Sequence, residues 1–129
     1  MHQGIDESLD ALAKEVVDAV FQVHTALGPG LLESAYETCL AIELRRRQIP
    51  FHTQKPLSIV YRDVTVESAF RADLIVGDRL LLELKSVDSL LPLHQAQVLT
   101  YLRLTGLSLG LLINFNTPKI KDGIKRLAL

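Results

Sequence analysis

Three ionisable residues interrupt the most apolar stretches of the chain. Asp73 stands in Arg71-Ala72-Asp73-Leu74-Ile75-Val76, and Glu83 and Lys85 stand in Leu80-Leu81-Leu82-Glu83-Leu84-Lys85. A charge left alone in a core costs several kcal/mol, so such residues either pair with one another or bind a metal ion. Glu83 and Lys85 are two apart and share one face of a strand, with Leu82 and Leu84 on the other. Asp73 joins them in only one register. A two-residue turn at Gly77-Asp78 pairs Asp73 with Leu82 and turns its side chain away, whereas a three-residue loop through Arg79, or a bulge, sets it opposite Glu83. A buried Glu83–Lys85 ion pair with Asp73 unrelated is the plain structural alternative.

Two further groups of polar residues lie within reach of that cluster. His94, Gln97 and Tyr101 fall at i, i+3 and i+7 and form one stripe of a helix, while Ala96, Leu99 and Leu102 pack elsewhere. This helix follows the Glu83–Lys85 strand, so the stripe either overhangs the same cleft or is simply solvated. Glu33 opens an earlier helix, where the helix dipole favours a carboxylate, or else supplies a third acidic group to the cleft. Arg45–Arg47 read as a solvated helix end or a phosphate contact, Cys39 as a small core hydrophobe, and His24 as a core-edge residue.

The elements that must position these groups are written in the periodicities. Leu9, Leu12, Ala13, Val16, Val20, Val23 and Leu27 form a continuous helical stripe, with Asp6 as N-cap and Gly28-Pro29-Gly30 as the stop. A second helix is predicted from about Leu31 to Arg47, closed by Pro50. Strands are predicted over Leu57–Tyr61, Val64–Phe70, Arg71–Val76 and Leu80–Ser86, with turns at Arg62-Asp63 and Gly77-Asp78. Runs apolar on both faces place the last of these at the centre of a sheet covered on both sides. Pro92 suits the first turn of a third helix that Gly106 ends, and Leu107–Phe115 reads as a buried strand reached by a parallel crossover. The tail from Thr117 reads as a short basic helix or ordered coil.

Composition narrows the classes. The 129 residues, 48% hydrophobic and 22% charged, suit one α/β domain spanning 1–129 with a full core. One cysteine excludes a disulfide scaffold, and with the scattered His2, His24, His52 and His94 it argues against structural zinc. The acidic start MHQGIDESLD does not read as a signal peptide, and no run is long enough to span a bilayer, so a cytoplasmic protein without membrane contact is expected. A net charge of −1 argues against a simple DNA coat protein, so a nucleic-acid role needs a local basic strip.

Gly30, Glu33 and Tyr36 match the signature of the GxxExxY protein family. LGPGLLESAYE, LPLHQAQVLTYLRLTG, GLLINFN and KDGIKR also resemble that family's segments in order and spacing, from about Val16 to Leu127. The family is similar to the PD-(D/E)xK nuclease superfamily, whose restriction-endonuclease-like αβββαβ core, a mixed central sheet flanked by helices, follows the element order above. The resemblance implies that Asp73 is the first motif aspartate and that Glu83-Leu84-Lys85 is the ExK motif. Ala72 stands where many members have proline. Glu33 resembles an acidic residue on the preceding helix, and Gln97 and Tyr101 resemble the QxxxY element of exonuclease branches.

By the same resemblance the expected catalytic set is Glu33, Asp73, Glu83, Lys85, Gln97 and Tyr101. The expected ligands of Mg²⁺ or Mn²⁺ are Asp73, Glu83 and the Leu84 carbonyl, which suit a hard cation that keeps several waters. His94, Gln97 and Tyr101 are the expected substrate contacts. The implied activity is metal-dependent phosphodiester hydrolysis of nucleic acid, DNA in preference to RNA, with a homo-oligomer among the expected assemblies. The alternative is a catalytically silent module of the same fold that binds nucleic acid or scaffolds a complex.

Overall fold

The computed structural model describes residues 4–129, and His2 lies outside them. Two helices, α1 (Glu7–Leu27) and α2 (Glu33–Arg46), precede strands β1 (Phe51–Tyr61), β2 (Val64–Val76) and β3 (Leu80–Lys85). Helix α3 (Pro92–Thr105), strand β4 (Leu109–Asn114), a 3₁₀ turn at Ile120–Gly123 and strand β5 (Ile124–Ala128) complete the fold. The five strands lie in chain order in one sheet, antiparallel except for the parallel β3–β4 pair. This is the restriction-endonuclease-like α/β architecture, with helices on both faces of a mixed sheet.

Period-2 alternation in the central strands builds two cores. Leu80, Leu82 and Leu84 of β3 and Leu109, Leu111 and Ile113 of β4 pack under α1 and α2. Leu81 and Leu112 face the other way, against Val98 and Leu102 of α3. At Gly110 a Cβ would meet Val98 Cγ1 at 2.8 Å, so the crossover helix rests on bare backbone there. Asp6 caps α1 through the Leu9 N–H (2.8 Å), and Gly106 ends α3 in the left-handed region (φ 77°).

Several expectations are corrected. β1 starts at Phe51 rather than Leu57, because an edge strand tolerates the polar run His52–Lys55 and Pro56. Val64–Phe70 and Arg71–Val76 are one strand, bent by extra β2 residues opposite Ser58, where Ser68 takes φ 52°. The tail from Thr117 has one 3₁₀ turn, but its end, Ile124–Ala128, is a strand rather than helix or coil. Ile124 and Leu127 alternate into the two cores, and the exposed Lys125 and Arg126 disguise the period as a basic run. Nor is Arg47 a solvated helix end: its guanidinium holds Glu43 (2.9 Å), Glu15 (2.9 Å) and Asp18 (2.8 Å), tying α2 to α1. His24 is buried, its Nε2 2.8 Å from the Thr117 carbonyl, and Arg126 reaches Asp10 at 3.0 Å.

The distal halves of β1 and β2 run past the rest of the sheet as a two-stranded arm. Ile59, Val60 and Tyr61 pair there with Val66, Thr65 and Val64, and Val60 is 71% exposed. Arg62 (φ 49°) and Asp63 (φ 64°) close the arm, both left-handed, the conformation that matches strand twist in a tight hairpin.

Candidate active site

Tyr36 holds down the entrance to α2. Helix α2 has no side-chain N-cap, and Gly30 before it sits at φ 99°, where a side chain is strained. The Tyr36 hydroxyl donates to the Gly28 carbonyl (2.6 Å) and accepts from the Leu31 N–H (3.1 Å), while its ring stacks on Phe115 at 4.4 Å. The Gly30–Glu33–Tyr36 spacing thus fixes the loop that delivers Glu33. Glu33 Oε2 lies 3.4 Å from the Ser86 N–H, just beyond the end of β3.

The loop between β2 and β3 is the three-residue one. Val76 pairs with Leu80, Ile75 with Leu81 and Leu74 with Leu82, so Asp73 comes opposite Glu83. There the backbone ladder gives way to side chains. The Leu84 N–H donates to Asp73 Oδ2 (2.8 Å), and the Asp73 N–H lies 3.3 Å from Glu83 Oε1. Two carboxyl groups replace carbonyls at the point where the strands part.

β1 and β2 roll together at the same level. Phe51 of β1 and Leu74 and Val76 of β2 pack on the α1/α2 side, but Leu57 and Ala72 pack on the α3 side. The switch falls between the pairs Thr53–Leu74 and Lys55–Ala72, at Gln54, whose φ is 50°. Its side-chain amide donates to Asp73 Oδ1 (3.1 Å) and to Glu37 Oε1 (2.6 Å). A pocket of about 310 Å³ opens here, lined by Glu33, Ser34, Glu37, Gln54, Asp73 and Leu84.

Glu83 is only 4% exposed. Burial first, then the Asp73 charge and a hydrogen bond shared with that carboxyl, pushes its pKa up to about 9, and the Lys85 charge opposes the rise through space. At neutral pH the Glu83 carboxyl therefore holds a proton that a bound cation would replace. Tyr101 packs against Phe70 with ring centroids 4.5 Å apart and the planes tilted by 34°, and burial and the charges of Glu83 and Asp73 raise the pKa of its hydroxyl. Gln97 lies one turn earlier on α3, half-buried. His94 has a local duty: its Nδ1 accepts the Leu91 N–H (3.0 Å) at the start of α3.

The structure thus brings Asp73, Glu83 and the Leu84 main chain together, with Glu33 lining a pocket beside Asp73 and Leu84, the Lys85 charge felt by Glu83, and the Glu83 and Asp73 charges felt by Tyr101. It adds Glu37 and Gln54, which sequence reasoning missed. Glu37 had a signal, being one helical turn after Glu33. Gln54 had none, since its region did not read as strand. Hard oxygen donors in contact, one buried and protonated, fit a divalent cation. Among the described residues no group of three or more His, Cys, Asp or Glu is arranged to hold a metal ion by side chains alone.

The family profile described as PD-(D/E)XK nuclease superfamily matches residues 10–127. No curated protein and no solved structure matches the chain. No helix of the described residues is long and apolar enough to cross a membrane.

Proposed function

The chain belongs to the PD-(D/E)XK nuclease superfamily, and from that membership and the proton-sharing carboxyl pair we propose that it is a divalent-metal-dependent phosphodiesterase cutting nucleic acid, DNA in preference to RNA. The observation that carries this reading is the Asp73–Glu83 pair itself, two carboxyl groups where the β2–β3 ladder ends. Nothing in the packing demands two acids there, and a buried acid held protonated is a cost to the fold.

Asp73, Glu83 and the Leu84 carbonyl would hold Mg²⁺ or Mn²⁺, which when bound lowers the pKa of a water and polarises the phosphoryl oxygen. Glu33 and Glu37, on the pocket wall, would accept hydrogen bonds from the attacking water and orient it. Lys85 offsets charge that develops on the phosphoryl oxygens, or orients the nucleophile. Gln54 fixes the Asp73 carboxylate from the other side. By the family resemblance, Gln97, Tyr101 and His94 on α3 would position the substrate phosphate or Lys85.

The test is a cleavage screen on single-stranded DNA, duplex DNA and RNA with Mn²⁺ or Mg²⁺, using wild type, Asp73→Asn and Lys85→Ala. Wild type should cut at least one substrate, and each variant should lose roughly a hundredfold or more. Cleavage undiminished in both variants would place the activity elsewhere. A wild type that binds nucleic acid but never cuts it would make this a silent module of the same fold.

A further inference from the structure

A second concavity, about 960 Å³, lies beside the acidic pocket, between the C-terminal end of α2 and the free edge of β1. Its lining includes Arg45, Gln48, Phe51, His52 and Lys55, and among the described residues none of the lining side chains is acidic. His52 leans toward Asp78 (3.7 Å), which leaves Arg45 and Lys55 as the standing charges. Arg45 lies over the Phe51 ring, 5.3 Å from its centroid, and this contact holds the guanidinium at the groove wall. Its neighbour Arg47 is bound by three carboxylates, whereas no ion pair among the described residues engages Arg45.

The groove and the acidic pocket share their walls. On α2, Glu37 follows Glu33 by one turn, and Arg45 lies two turns further on, about 12 Å along the axis and about 80° around it from Glu37. On β1, Gln54 in the acidic pocket sits between Thr53 and Lys55 in the groove. A polyanion whose reacting phosphate lies over Asp73 therefore meets cations a few phosphates along the same strand.

Resting on the nuclease reading, we propose that the Arg45–Lys55 groove is a track for the phosphate backbone of the nucleic-acid strand being cut. Contact is through charge and carries no sequence preference.

Binding of fluorescein-labelled single-stranded and duplex oligodeoxynucleotides, followed by anisotropy across a salt series in EDTA and in Ca²⁺, tests it. The probes are compared on wild type, Arg45→Gln/Lys55→Gln and the control Arg46→Gln, an exposed arginine outside the groove. Loss of two phosphate contacts should flatten the log–log salt slope by about 1.4 on the single strand and weaken binding about tenfold at low salt. Arg46→Gln should leave the slope at the wild-type value, and all three proteins should melt alike. A double variant with the wild-type slope, or a control that loses as much as the double variant, overturns the track while leaving the nuclease reading intact. A wild type that binds neither probe overturns both.

Discussion

Glu83 sets how the site responds to pH. Its pKa is raised in the fold, from the ordinary 4.5 to about 9, so the folded chain keeps a proton that the unfolded chain releases. The stability linked to that proton is fully present below about pH 4.5 and is lost as pH rises toward 9. Glu83→Gln removes the titration and keeps the shape. Melting temperatures should therefore match wild type near pH 4 and exceed it near pH 8, as thermal scans across the range would record. Cation affinity in the wild type should rise with pH over the same window, because binding must displace the proton. Tyr36 is the other residue with a separable role. Tyr36→Phe leaves the Gly28 carbonyl and the Leu31 N–H without their partner and should cost about 1–3 kcal/mol in denaturant titration.

At the scale of elements, α1 and the β3–α3–β4 crossover were legible because apolar spacing alone identifies them. The Asp73–Glu83 pairing was legible only as one of two registers, since a loop through Arg79 is a choice the sequence leaves open. β1 before Leu57 and β5 were hidden by the chemistry of edges, where charge and proline are tolerated on strands. Gln54 was invisible for a different reason: its role comes from a roll of two paired strands, which no local pattern records. That roll yields its own prediction. Gln54 adopts a backbone conformation that side chains dislike, at a cost of order 1 kcal/mol. Gln54→Gly should hold or raise the melting temperature while lowering cleavage, because it relieves the backbone but removes the bridge between Glu37 and Asp73. Gln54→Ala should lose the bridge without that relief, and the two variants compared in parallel separate strain from positioning.

Over the whole molecule, charge is segregated rather than absent. Acids gather where β2 and β3 part, and cations gather along the β1 edge, so a net charge of −1 coexists with a face suited to a polyanion. If the acids serve a cation, Mn²⁺ should raise the wild-type melting temperature by mass action and do so far less in Asp73→Asn, whose apo form should melt no lower than wild type. A large apo loss in that variant with no Mn²⁺ response in wild type would assign these charges to the fold. The arm stands apart from this machinery. Beyond the roll its outer pairs, Ile59–Val66 to Tyr61–Val64, bond to each other rather than to β3. The body below is held by its own cores and by Arg47, His24 and Arg126. The tip at Arg62-Asp63 is therefore a graft point: a short epitope inserted there should leave melting and cleavage near wild type, as thermal scans and the cleavage screen would record.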